Sequence, residues 1–454
     1  LEKVSNMKLE SLMFIGCTFL TSKDTVQTVQ QCKQIEVAFG ESYENICFNR
    51  CGWFRPILSP LAHKQMIIIK VNLNKCVKLR NLTVNMGEYA SVILSKQIVG
   101  GLRYLTLGKM NCDWLLPSFW CYDARLEYLS IDIFNLKLAV NFLKEINRNE
   151  LKHLVLICIL DGCLLETCDA SNLFNLDFAA LKVLEINAGG LYNKLSSGST
   201  SEIQMRKLET LKIWCPYLDE VFMQMITELE MLKHLEICMY DDEDVKCKSL
   251  CRQLSNLKGP IEKLLVSSEL TIYELVRSIE PLKTLKEFRI DGRSIRPTFD
   301  SLANQSYDKC QPAKVDANEQ NLMESKNVVH LKLHTLHVSV DSTYEELIEL
   351  MLCQDFEAFA DIIKLVIDLV PTRPGVIQVS FESMQTQFNR LIESVLETFE
   401  QLDVLVFCYK SSDISEEEAH ILREFFSSRC KSLKERCEWS DKCNEEQTIF
   451  ELYK

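Results

Sequence analysis

A short hydrophobic phrase recurs along the middle of the chain, and it constrains the fold more than any other feature. The phrase has the form L-x-x-L-x-L, and successive copies begin about 24 to 30 residues apart. That period is expected when each unit forms one short strand and returns through a helix or an irregular segment. Copies between residues 126 and 266 begin at Leu126, Leu151, Leu181, Leu208, Leu232 and Ile261.

The positions within the phrase have different environments. Side chains alternate along a strand, so the apolar fourth and sixth positions share one face while the third and fifth point the other way. One unit cannot bury its apolar face alone, but stacked neighbours continue it as a core. The pattern therefore predicts a solenoid whose variable positions lie side by side on an open surface.

The phrase also occurs outside the central region, with copies at Leu79, Leu102 and Leu285 and further strands expected at 333–338, 362–367 and 402–407. In its phrase, period and persistence the chain resembles the leucine-rich repeat family. The resemblance implies an α/β fold: a curved, horseshoe-shaped solenoid with a parallel concave sheet and a mainly helical convex side. Helical spacing between the strands favours the same convex helices.

We expect residues 1–454 to form a single solenoid with three departures from the repeat. Residues 38–78 are irregular and long enough for one degenerate repeat or an insertion. A polar stretch at about 293–327 is expected to be an insertion, with a binding loop as the alternative. Residues from about 413 to 454 are expected to form a helical C-terminal cap. Because the first repeat starts at Leu9 without a preceding cap, a further N-terminal piece is also expected.

Composition narrows the class of partner. The 51 basic and 64 acidic residues give a formal charge of -13, which disfavours general nucleic-acid binding. No apolar run approaches the roughly 18 to 20 residues that span a bilayer, so no membrane anchor is expected. The 20 cysteines are scattered, which favours thiols in a cytoplasmic or nuclear protein over disulfides in a secreted one. Two glycosylation triplets, at Asn81 and Asn304, would permit the secreted alternative.

Motifs for catalysis or for metal binding are absent from the sequence. There is no C-x-x-C pair, no phosphate-binding glycine loop, no H-E-x-x-H and no G-x-S-x-G. We therefore expect a protein that is not an enzyme and that uses no cofactor or metal.

The third and second positions of the phrase supply the candidate binding residues. Tyr104, Tyr128 and His153 occupy third positions of consecutive repeats and should form a lateral ladder. Aromatic side chains beside arginine are enriched at the hot spots of protein interfaces. An ordinary solvated strand surface is the alternative. The complete set of candidate partner-binding residues is Arg80, Arg103, Tyr104, Tyr128, Lys152, His153 and His234.

These features favour a protein-interaction scaffold that binds a partner on its concave surface. In the first repeat, Cys17 followed by Leu20 and Thr21 resembles the cysteine-containing subclass found in F-box proteins. That resemblance implies, as an alternative, the substrate-recognition subunit of a ubiquitin ligase, with its F-box outside this chain. A secreted recognition protein is a further alternative. A regulator of the GTPase Ran is disfavoured, because the repeats of that class resemble an asparagine-containing type.

Overall fold

In a computed structural model the chain divides into two compact units, Leu1–Leu232 and Lys233–Lys454. The expectation of one continuous domain stays a prediction. The structure describes residues 11–15, 18–19, 34–38, 45–49, 52–53, 68–84, 90–93, 96–108, 125–133, 136–158, 168–169, 171–188, 194–196, 204–215, 217–218, 220–239, 250–267, 272–291, 331–340, 358–369, 381–410, 438–443 and 447–453.

The first unit is built from short strands joined by helices and by further short strands. Its helices are α1 (Lys96–Gly101), α2 (Leu136–Glu145), α3 (Ser171–Phe174) and α4 (Glu220–Thr227). Its strands are β1 (Ser11–Ile15), β2 (Thr18–Phe19), β3 (Gln34–Ala38), β4 (Asn45–Asn49), β5 (Gly52–Trp53), β6 (Ile68–Asn72), β7 (Asn81–Val84), β8 (Ala90–Ile93), β9 (Tyr104–Leu107), β10 (Tyr128–Ile133), β11 (His153–Cys158), β12 (Cys168–Asp169), β13 (Val183–Asn187), β14 (Lys194–Ser196), β15 (Thr210–Cys215) and β16 (Tyr217–Leu218).

The main sheet of this unit is parallel and follows the order β1-β4-β7-β9-β10-β11-β13-β15. The segments that return from one strand to the next contain the helices and three smaller parallel groupings, β3-β6-β8, β12-β14-β16 and β2-β5. An open parallel sheet of short, regularly spaced strands is compatible with a repeat solenoid.

The repeated phrase explains why these strands form and align. Leu126, Leu129 and Ile131 are buried, as are the corresponding residues of the neighbouring repeats. Each fully buried leucine contributes about 1.5 to 3 kcal/mol of transfer free energy. The register pairs equal positions of successive phrases, so Tyr128 lies opposite His153. The strands begin at the third position of each phrase, as the period-two alternation predicts.

The second unit has the same plan. Its helices are α5 (Ile272–Ile279) and α6 (Phe381–Thr398). Its strands are β17 (His234–Met239), β18 (Lys263–Ser267), β19 (Glu287–Asp291), β20 (Thr335–Val340), β21 (Lys364–Leu369), β22 (Val404–Lys410), β23 (Glu438–Cys443) and β24 (Gln447–Tyr453). The order is β17-β18-β19-β20-β21-β22-β24-β23, parallel as far as β22. Among the described helices of both units, none combines the length and the apolarity that a membrane crossing requires.

One repeat lies hidden in the segment predicted to be irregular. Strand β4 pairs with β1 on one side and with β7 on the other, so part of 38–78 is a degenerate repeat. Its phrase has Tyr43 where other copies have leucine, followed by Ile46 and Phe48. Ile46 is buried like its counterparts. Because Tyr43 stands at the first position in place of leucine, the L-x-x-L-x-L pattern does not identify this repeat.

The C-terminal end differs from the helical cap predicted for 413–454. Residues 438–443 and 447–453 form a β-hairpin, and β24 pairs antiparallel with β22. The sequence of β24, rich in β-branched and aromatic residues, favours this strand. The hairpin pairs the edge of β22 that would otherwise be open. Residues 411–437, which carry the rest of that prediction, lie outside the described part of the chain.

The polar stretch predicted at 293–327 also lies outside the described residues. The strands on either side of it, β19 and β20, are direct neighbours in the sheet, and Phe288 lies opposite Leu336. The stretch therefore contributes no strand between these two.

Deleting residues 301–320 is expected to leave the fold intact, with a shift in the thermal unfolding midpoint below about 3 °C. Shortening a long loop changes its closure entropy only slightly, and β19 and β20 keep their pairing. The check is thermal unfolding followed by far-UV circular dichroism. A variant with the same residues replaced by a glycine-serine linker of equal length separates the effect of length from that of sequence. Collapse of either variant would show that the segment is part of the folded core.

Candidate binding surface on the sheet of the first unit

Three aromatic side chains stand side by side across β9, β10 and β11. Tyr104 lies opposite Tyr128, and Tyr128 lies opposite His153. The two tyrosine rings stack with centroids 6.1 Å apart, and the ring of Tyr128 meets the imidazole of His153 edge-on at 4.8 Å. The side chain of Tyr104 is 49% exposed. The predicted lateral ladder is confirmed as an arrangement, and its role in binding stays a prediction. We call Tyr104, Tyr128 and His153 the aromatic ladder.

The last member of the aromatic ladder is held by carboxylate contacts. His153 Nε2 lies 3.3 Å from Glu185 Oε1, and Lys212 Nζ lies 3.1 Å from the same oxygen. The hydrogen bond with His153 lowers the pKa of Glu185, the contact with Lys212 adds to this effect, and partial burial opposes it. Each aromatic pair contributes about 0.5 to 1.5 kcal/mol beyond its buried area. The ladder is therefore held in place by contacts within the chain.

The two arginines beside the ladder make a contact that the sequence did not predict. Arg80 Nη1 donates to the carbonyl of Gly101 at 2.8 Å, and Arg103 Nη1 donates to the carbonyl of Arg125 at 3.1 Å. Each acceptor is the residue directly before the first leucine of the next repeat. A Cβ placed on Gly101 would lie 2.7 Å from Arg80 Nη1, so glycine gives the guanidinium its room. Both arginines thus link successive repeats at the rim of the sheet.

Lys152 completes the row of second positions through an ion pair. Its Nζ lies 2.7 Å from Glu127 Oε2, while Arg103 Nε lies 3.9 Å from Glu127 Oε1. The hydrogen bond and the charge of Lys152 lower the pKa of Glu127, and the same contact raises the pKa of Lys152. Lys152 is exposed and Arg103 and Glu127 are half-buried, so the pair stabilises the fold little. Its effect is to fix which charges stand beside the aromatic ladder.

The row of third positions continues past the ladder into two asparagines. Asn45 lies opposite Asn81, and Asn81 lies opposite Tyr104. The amide nitrogen of Asn81 donates to Asn45 Oδ1. Asn81 Oδ1 is buried and has no hydrogen-bond partner, alone among the side chains that the structure describes. Asn45 escaped sequence analysis because its repeat was not recognised. Glycosylation of the Asn81 amide would disrupt its bond with Asn45.

His234 belongs to the second unit and is described apart from the aromatic ladder. It occupies the third position of β17, opposite Lys263 in β18. Partial burial lowers the pKa of His234, and the nearby charge of Lys263 acts in the same direction. Of the seven candidate residues, the structure therefore brings six together within the first unit.

A second polar cluster, also not predicted, lies on the sheet of the second unit. Asp368 Oδ2 is 2.7 Å from His337 Nε2 and 3.1 Å from Arg289 Nη2. Cys408 also donates a hydrogen bond to the Asp368 carboxylate. The four residues lie on β19 to β22, at fifth and seventh positions of their repeats. We call Arg289, His337, Asp368 and Cys408 the Asp368 cluster.

The Asp368 cluster does not activate its cysteine. Burial, followed by the carboxylate and hydrogen bond of Asp368, raises the pKa of Cys408 to about 12. At neutral pH the sulfur is therefore a thiol, whereas a nucleophilic cysteine must be a thiolate. The arrangement stabilises the sheet and does not prepare a nucleophile.

Comparisons with known proteins add no family to this geometry. No protein-family model matches the chain, and no curated protein shows significant similarity to it. Within the described residues, no group of three or more histidine, cysteine, aspartate or glutamate side chains is arranged to hold a metal ion. Among the described aromatic residues, Tyr104 of the aromatic ladder stands out as exposed.

Proposed function

We propose that the chain is a non-enzymatic interaction module of the leucine-rich repeat type, which binds a protein partner on the open sheet face of its first unit. The observation that carries this proposal is the aromatic ladder. Tyr104 presents a half-exposed ring on a sheet face, and that ring stacks on a second tyrosine instead of folding onto the core. Exposed aromatic side chains held by their neighbours are typical anchors of protein interfaces.

The environment of the ladder fits a protein partner better than a small molecule. Small ligands bind in concave, mostly apolar pockets, whereas the ladder lies on a sheet beside an exposed row of charged side chains. A flat aromatic centre with a charged rim is the usual composition of a protein interface. Tyrosine also loses little conformational entropy on binding, because the neighbouring rings already restrict it.

A cytoplasmic or nuclear location is proposed on the state of the cysteines. Cys76 is a buried thiol outside any disulfide, and burial raises its pKa to about 11. It behaves as a small core residue, as expected in a reducing compartment. The identity of the partner decides between a plain scaffold and the substrate-recognition subunit of a ubiquitin ligase.

Photo-crosslinking in the cells of origin tests the proposed surface. A photoreactive phenylalanine analogue placed at Tyr104 of the full-length protein is expected to give a discrete adduct with the partner, because the reactive group would lie within the interface. The adduct is identified by mass spectrometry, and a ligase adaptor or substrate in it would favour the ubiquitin-ligase alternative.

Matched positions elsewhere on the same unit provide the control. Val77 is 42% exposed and Met231 is 47% exposed, which is similar to the 49% exposure of Tyr104. Neither residue lies in a strand of the sheet. The same analogue at these positions is expected to give at most a small fraction of the adduct. Equal yields at all three positions would exclude the ladder as the binding surface.

A further inference from the structure

The row of third positions has the length of a short extended peptide. From Asn45 to His153 the row crosses five strands, β4, β7, β9, β10 and β11. Neighbouring strands are about 4.8 Å apart, so the row spans roughly 19 Å. An extended chain advances about 3.4 Å per residue, and about six residues therefore cover that distance.

Large side chains in the row of third positions stand next to small side chains in the row of fifth positions. Tyr104 and Tyr128 stand in the third positions, while Thr83, Thr106 and Ser130 occupy the neighbouring fifth positions. Ser130 is buried and the two threonines are half-buried, so these short side chains form a floor beside the rings. The step between ring and floor offers a polypeptide both an aromatic wall and hydroxyl groups.

The charges along this step favour an acidic ligand. The second positions of the repeats of β7, β9, β10 and β11 carry Arg80, Arg103 and Lys152 against Glu127, an excess of two positive charges, and the second position of the β4 repeat carries Glu44. The third and fifth positions of β4, β7 and β9 hold no charged residue. A guanidinium has five N–H donors, and the contact with Gly101 uses one nitrogen of Arg80. Arginine at such a rim is suited to pairing with carboxylates.

The net charge of the first unit does not oppose an acidic ligand. The first unit has 24 basic and 24 acidic residues, whereas the second has 27 basic and 40 acidic residues. The whole formal charge of -13 therefore resides in the second unit. The ladder lies on the neutral unit, where an acidic segment meets no general repulsion.

We infer that the partner binds through an extended acidic segment of about six residues, which lies along the row from Asn45 to His153. This inference rests on the proposed function and adds the chemistry of the bound segment. The carboxylates of the segment pair with Arg80 and Arg103, and an apolar side chain packs on the rings of Tyr104 and Tyr128.

A phage-displayed library of random heptapeptides, selected on the full-length protein, tests the inference. Peptides that bind the wild type but not the Tyr104→Ala variant are expected to be enriched in aspartate and glutamate next to an apolar residue. In a fluorescence anisotropy assay with a selected peptide, Arg80→Gln and Arg103→Gln are each expected to weaken binding about tenfold, since each loses a charge-assisted hydrogen bond. Binding should also weaken as salt rises.

Two further variants separate recognition from folding. Arg80→Gln and Arg80→Lys both lose the guanidinium contact with Gly101, but only Arg80→Lys keeps the positive charge. Arg80→Lys should therefore retain most of the affinity. Lys182→Gln alters a second-position cation two strands from Tyr128, paired instead with Glu209, and should not affect binding. Thermal unfolding is recorded for every variant.

The other outcomes are distinguishable. Selected peptides that need Tyr104 but are not acidic, or that ignore both arginine variants, would overturn the acidic segment and leave the proposed surface standing. Selection of no Tyr104-dependent peptide would overturn the short extended segment. Failure of the proposed surface itself would appear separately, as equal crosslinking from Tyr104, Val77 and Met231.

Discussion

Replacing both Tyr104 and Tyr128 with alanine is expected to lower partner capture at least about a hundredfold. Truncating one hot-spot aromatic costs about 2 kcal/mol or more of binding free energy, and each 1.4 kcal/mol is a factor of ten. The two rings stack on one another, so removing both eliminates the aromatic wall and leaves His153 alone. The measurement is quantitative mass spectrometry of proteins recovered with the full-length chain from its own cells.

The same double variant is expected to leave the fold nearly unchanged. Both rings lie on the open face, and the core of these repeats is built by the fourth and sixth positions. Loss of the ring contacts should reduce the free energy of unfolding by about 1 kcal/mol. Tyr104→Phe with Tyr128→Phe keeps the rings and tests the hydroxyl groups alone. Val77→Ala is the exposed apolar control, and retained capture by the double alanine variant would eliminate the ladder as the binding site.

The sequence was sufficient for the strands that carry the full phrase. From Leu79 to Leu285 each strand of the main sheets begins two residues after the first apolar residue of its phrase, because buried apolar residues fix both the period and the register. The sequence pattern was insufficient at two places, where a different residue or a different secondary-structure element takes the expected position. Tyr43 replaces the first leucine before β4, and the hairpin of β23 and β24 replaces the predicted helix at the chain end.

The sequence predicted the part of the candidate site that follows from the pairing register of the strands. Tyr104, Tyr128 and His153 share a position in consecutive repeats, so parallel pairing alone brings them together. The carbonyl contacts of Arg80 and Arg103 depend on side-chain torsions and on the path of the return segment, which the repeat pattern does not contain.

The Asp368 cluster shows a different limit of sequence analysis. Its members come from four repeats and from two different positions of the phrase, fifth for Arg289 and His337 and seventh for Asp368 and Cys408. Cys408 lies directly opposite Asp368, but the contacts of Asp368 with Arg289 and His337 are diagonal, and they appear only when adjacent rows are compared across strands. The long segment between β19 and β20 also separates Arg289 from its neighbours in the sequence.

Asp368→Ala is expected to reduce the free energy of unfolding of the second unit by about 2 to 4 kcal/mol. The carboxylate is largely buried, and it accepts hydrogen bonds from His337, Arg289 and Cys408. Removing one partner of a buried charged network leaves the others without compensation. The measurement is urea unfolding followed by far-UV circular dichroism. Asp403→Ala, an exposed carboxylate next to β22, is the matched control and should change stability by less than about 0.5 kcal/mol.

The pH dependence of the difference in unfolding free energy between wild type and Asp368→Ala identifies the cause of that difference. Burial alone would raise the pKa of Asp368, but the hydrogen bond from His337, the charges of His337 and Arg289, and the hydrogen bond from Cys408 outweigh it and lower the pKa. A carboxyl with a lowered pKa stabilises the fold fully above its unfolded value, about 3.9, and loses that contribution as pH falls through its folded value. The gap in stability between wild type and Asp368→Ala should therefore shrink as pH falls below about 4. A gap that does not shrink anywhere in the acid range would assign the effect to packing instead of charge.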